Sequence, residues 1–160
     1  MSLIVTVRVL HVLLAVLWVG AGIFATLFLF PALRETSASG NPLLAALMRR
    51  RMGPYMGATA GLAALTGVWL YWHYTNGFSA SMIGTSSGIL IGIGGITGIA
   101  ATAMGGAVIG RSVEKMAQLI AQGAPQAEID AMRQRAQGGA RIVSILMIVT
   151  VVAMTIGRFV

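Results

Sequence analysis

This 160-residue chain has only two imidazoles, and one of them, His11, lies within a long apolar run. On a helix, His11, Trp18, Gly22 and Leu29 follow steps of seven, four and seven residues, so they share one face, with Arg8 one turn nearer the helix start. These are the parts of a grip on a flat macrocycle such as haem b. A neutral ring nitrogen would meet the metal, Gly22 would let the ring approach, and Arg8 would face an acidic propionate. The same histidine is also explained as an interhelical hydrogen-bonding group, worth about 0.6 to 2 kcal/mol in a membrane. His73 is the second candidate ligand, because antiparallel helices would bring it to the same side as His11. The expected vertical offset is several Å at about 1.5 Å per residue. Beside Trp72 and Tyr74, His73 also reads as an ordinary residue of an interfacial aromatic belt.

Other chemistries are poorly supplied. No Asp, Glu or Lys falls within any apolar run, which argues against proton-coupled transport and against hydrolysis by an acid–base pair. The chain has no cysteine, and so no disulfide, thiolate metal site or cysteine nucleophile. Met48, Met52 and Met56 recur at four-residue spacing, and thioethers suit Cu(I), although Arg49, Arg50 and Arg51 set a cationic field among them. The net charge of +7 does not point to nucleic acid, because the basic residues flank apolar spans and are not interleaved with exposed aromatics.

The elements that must position these residues are helices. Apolar residues make up 57% of the chain and charged residues 9%, where a soluble domain has about a quarter charged, so lipid is the expected solvent. The expected fold class is all-α. Four transmembrane helices form an antiparallel bundle in one domain, with a short cytoplasmic helical hairpin extending the third and fourth. The first span covers residues 3–30 and ends at Pro31, and it is longer than the apolar core of a signal peptide. The second covers 54–74 and ends in Trp69, Tyr71, Trp72 and Tyr74; Asn76-Gly77 then links it to the third, 82–110. Beyond it, Val113, Met116, Leu119 and Ile120, and then Ile129, Met132 and Ala136, mark an amphipathic hairpin over 111–138, broken at Gly123 and Pro125. The fourth span covers 140–160.

Arg34 and Arg49 to Arg51 lie in the first connection, and Arg111, Lys115, Arg133, Arg135 and Arg141 in the third, while the second has no charge. The positive-inside bias puts both basic connections in the cytoplasm and both termini on the other side. Gly84, Gly88, Gly92, Gly95 and Gly106 on the third span, and Gly53, Gly57 and Gly61 on the second, read as close-approach faces, for packing within the chain, self-association or other membrane subunits.

The stretch from His11 through Trp18, Gly20 and Gly22, followed by Phe24, Phe30 and Pro31, resembles the first helix of CopD-like and HemJ-like bacterial membrane proteins. Arg49 to Arg51 and the tract Leu65-Thr66-Gly67-Val68-Trp69 extend the likeness, which covers about the first 75 residues. It implies a bacterial inner-membrane protein in which His11 is the first-helix histidine, a haem ligand in the oxidase branch, or else a copper-handling protein. The oxidase pattern also has a tyrosine and an arginine just after the tryptophan motif and a lysine in a later helix. Here Ile23 to Phe28 stands in the first place and no span holds a lysine. The expected function is a non-catalytic membrane subunit, b-type haem-binding or redox-associated through His11. The alternatives are a cofactor-free accessory scaffold and a copper-handling protein.

Overall fold

A computed structural model describes residues 2–160. Every regular element among them is helical. The first apolar run makes α1 (Leu3–Phe24), a π-helical turn (Ala25–Leu29) and α2 (Phe30–Thr36) in one continuous rod. Pro31 was expected to end this helix but lies within it. A proline lacks the N–H that its preceding turn needs, and the wider π turn lies where the hydrogen-bond ladder is interrupted. A short 3₁₀ turn (Ser37–Gly40) leads into α3 (Asn41–Arg49), which has a proline in its first turn. The chain breaks at Arg51, φ 59°, and α4 runs from Met52 to Tyr74. The one-turn α5 (Ala80–Ile83) precedes α6 (Ser86–Met104), which Thr85 caps by accepting a hydrogen bond from the Gly88 N–H. A second π turn (Gly105–Gly110) joins α6 to α7 (Arg111–Ala121), and after the turn at Gly123 α8 runs from Gln126 to Ile156.

Three continuous helical stretches, Leu3–Thr36, Ser86–Ala121 and Gln126–Ile156, are long and apolar enough to cross a membrane. Their outward side chains fit that solvent: Val16, Ile96 and Ile145 are 64%, 72% and 62% exposed, with no polar cover. The helix Met52–Tyr74 has the length, at 23 residues, but glycine, threonine, tyrosine and tryptophan dilute its apolar character.

Neighbouring helices run antiparallel. α1 packs on α4, α4 on α6, and α6 on α8, with α1 also touching α8. The contact between α6 and α8 is the most extensive, and glycine makes it so. A Cβ on Gly94 would lie 2.7 Å from Met154 Cγ and 3.2 Å from the Thr150 carbonyl oxygen. One core joins Trp18, Ala60, Ala101, Val143 and Met147. A second joins Leu33, Leu44, Met116, Leu119 and Ile129, where α3 lies against α7 and α8. There Arg133, counted from sequence as a topology signal, is only 3% exposed. It donates to Asp130 Oδ1 at 2.6 Å and Asn41 Oδ1 at 3.0 Å, tying α3 to α8.

The glycine faces differ from those expected. Gly53, Gly57, Gly61, Gly95 and Gly106 have no atom within 4 Å of an added Cβ, and Gly84 lies in the break before α6. Of the expected set, Gly88 does lie close against the Met82 and Ile83 backbone and Gly92 against the Tyr71 hydroxyl; further close approaches between helices are at Gly94, Gly98, Gly139 and Gly157.

Candidate intramembrane ligand site

His11 sits on α1 opposite Ala63, Thr66 and Gly67 of α4. Its Nδ1 is 2.9 Å from the Ala63 carbonyl oxygen and 3.2 Å from Thr66 Oγ1. A carbonyl oxygen only accepts, so in a neutral ring Nδ1 carries the hydrogen and Nε2 keeps its lone pair. The Thr66 hydroxyl donates back to α4, to the Leu62 or Ala63 carbonyl at 2.7 and 3.0 Å, and so can also accept from Nδ1. Gly67 completes the seat, because a Cβ there would lie 2.9 Å from His11 Cε1 and push the ring off α4. Ala63, Thr66 and Gly67 were not singled out as partners of His11 from sequence.

His11 forms part of the wall of a cavity of about 480 Å³ between α1, α4, α6 and α8, together with Trp18, Gly67, Tyr71, Gly92 and Thr150. That volume is in the range of small-molecule sites, which are mostly apolar with a few placed polar groups. Trp18 is 7% exposed and belongs to both the cavity wall and the core.

The other expected site residues do not converge on His11. His73 is exposed, stacked on Trp69 with ring centroids 5.5 Å apart and planes 6° from parallel. It lies seven residues beyond Thr66, about 10 Å along the axis at about 1.5 Å per residue, so it and His11 cannot bind one metal ion. Gly22 does leave a gap, but Met147 of α8 fills it, its Cε lying 2.9 Å from where a Cβ would be. Arg8 is exposed and is not part of the cavity wall. The methionine stripe is split by the break at Arg51, with Met48 on α3 and Met52 and Met56 on α4. Met56 packs against the core.

A b-type haem needs an axial lone pair and cations for two propionates. His11 Nε2 meets the first need. No arginine or lysine lines the cavity, so the second is unmet, and the residues present do not fit the whole group.

The fold and cavity define a class: helical proteins with membrane-length apolar stretches around a partly open pocket between helices. No protein-family model, curated protein or solved structure matches the chain.

Proposed function

We propose that this chain is a non-catalytic integral membrane subunit that holds a lipid-soluble ligand beside His11. The observation that carries this reading is a cavity of about 480 Å³ with one imidazole in its wall, turned by its Nδ1 bond to α4 so that Nε2 is uncommitted.

Four antiparallel spans are part of the proposal. The helix Met52–Tyr74 supplies the fourth, because its 23 residues exceed the roughly 20 needed to cross hydrocarbon and its Leu65 is 69% exposed. The stretches Ser86–Ala121 and Gln126–Ile156, at 36 and 31 residues, overshoot that need. Their charged, amphipathic ends, α7 and the start of α8, form a hairpin outside the bilayer. The arginine distribution puts this hairpin in the cytoplasm of a bacterial inner membrane, with both termini opposite. In intact cells, Ala80→Cys is expected to react with an impermeant maleimide and Gln122→Cys to react only after lysis. The reverse labelling would invert the topology.

The ligand reading predicts that His11→Ala stays folded, having lost an interhelical hydrogen bond of about 0.6 to 2 kcal/mol, while ligand binding is lost. Because the cavity has no cation, protein purified from haem-replete cells is expected to show no Soret band. A Soret band that disappears in His11→Ala would reverse this and make the subunit a haem protein. A second role as accessory scaffold is supported by the unpartnered face of Gly53, Gly57 and Gly61, where another helix can approach closely.

A further inference from the structure

Apart from the indole N–H of Trp18, for which no acceptor lies among the described residues, each polar side chain in the cavity wall has its hydrogen committed elsewhere. Tyr71 donates to the Gly88 carbonyl at 3.0 Å and Thr102 to the Gly98 carbonyl at 3.0 Å. Thr150 lies 2.8 Å from both the Leu146 carbonyl and the Thr97 hydroxyl, so its one hydrogen is used within the protein either way. His11 gives its Nδ1 hydrogen to α4. What remains for an occupant is the Trp18 N–H, two turns along α1 from His11, and lone pairs: Nε2 of His11 and the oxygens of Tyr71, Thr102 and Thr150. A ligand whose polar group only accepts, such as a ketone, ether or ester, would leave Nε2 unsatisfied, whereas a hydroxyl supplies the hydrogen that Nε2 lacks. A charged amine would find no carboxylate.

A second space adjoins the cavity. Between α4 and α6 a groove of about 440 Å³ opens outward past Leu65, Trp69 and Trp72. It shares Ala64, Val68, Phe78 and Ile99 with the cavity, so the two spaces adjoin along that gap. Phe78 stands at the junction, 50% exposed, with φ 63°, a left-handed conformation that bulky side chains rarely adopt. Its N–H donates to Oγ1 of the fully buried Thr75 at 3.1 Å, which holds the turn in that shape.

We infer that the cavity takes an uncharged lipid-soluble hydroxyl compound, a long-chain alcohol or phenol, which enters from the bilayer between α4 and α6 past Phe78 and donates its O–H to His11 Nε2. This rests on the ligand-holding reading above and adds the ligand's chemistry and its route.

The chain has three tryptophans, so Trp69→Phe with Trp72→Phe leaves Trp18 as the sole reporter, at the cavity wall. In nanodiscs, 11-bromoundecan-1-ol is expected to quench Trp18 saturably. Its methyl ether, which lacks only the donor hydrogen, should need about tenfold more. His11→Phe should erase that preference, and Phe78→Ala should speed the onset of quenching while Ala64→Phe slows it. Equal potency of alcohol and ether would overturn the donor requirement and leave the cavity reading standing. Onset rates unaffected by either substitution would overturn the route. Quenching that rises linearly with both probes, as for a tryptophan facing bulk lipid, would remove the cavity reading as well.

Discussion

Gly94→Leu is expected to cost the fold about 3 kcal/mol or more, visible as a large drop in the unfolding temperature of the detergent-solubilised protein. The reason is what surrounds the missing Cβ. Met154 Cγ at 2.7 Å can swing away, but the Thr150 carbonyl oxygen at 3.2 Å and the Met154 nitrogen at 3.4 Å belong to the backbone of α8. Forcing extra volume into a packed interface costs about 1–3 kcal/mol where side chains can rearrange, and more where two helix backbones must separate. Gly92→Leu should cost less, because its nearest neighbour is the Tyr71 hydroxyl, the far end of a side chain. Gly53→Leu meets nothing within 4 Å and should leave the isolated chain unchanged. If Gly94→Leu melts with Gly53→Leu, the spacing of α6 and α8 is not set by that glycine.

Asp130→Ala is expected to destabilise by about 1.5–3 kcal/mol, the range for a hydrogen bond to a charged group, because the Asp130 side chain is itself 39% exposed and Asn41 still accepts from Arg133. It removes the carboxylate 2.6 Å from a guanidinium that is 4% exposed where α3 meets α8. Arg133→Met should be the milder change. It takes the charge out of the interior and leaves Asp130 partly hydrated. Thermal unfolding of the two variants side by side tests the order, and a milder Asp130→Ala would mean that the guanidinium is solvated by other means.

Helix positions were largely legible because the apolar runs are long and their breaks carry glycine, proline or charge. The glycine faces were not. Spacing says which residues share a side of a helix, and it grouped Gly84, Gly88, Gly92, Gly95 and Gly106. Which side meets a neighbour depends on packing: Gly88 and Gly92 of that group are in close contact, but the approach to α8 fell on Gly94 and Gly98. His11 was identifiable as the intramembrane polar group, but its seat on Ala63, Thr66 and Gly67 joins residues more than 50 positions apart. The pairing with His73 failed on height: both histidines lie toward one end of antiparallel helices, yet His11 meets α4 about two turns short of His73. The cavity has no signature of its own in the sequence, since it is what four apolar surfaces leave unfilled.

The two π turns have a consequence for reading and altering this chain. A residue contributes about 100° of rotation in an α-helix, so a turn widened by one residue puts everything beyond it out of phase by that angle. Leu29 lies at the end of the first such turn and Gly106 within the second, and each was assigned to a face by counting from the other side. That count slips there, so residues counted across either turn do not share the face assigned to them. Both slips lie at the level where Thr26 meets Ala140 and Gly139 meets Val108, so α8 is flanked at one height by two helices that have changed phase. A one-residue deletion within Ala25–Leu29 would tighten that turn and rotate His11 and Trp18 away from their seats by the same angle, even though neither residue had been touched.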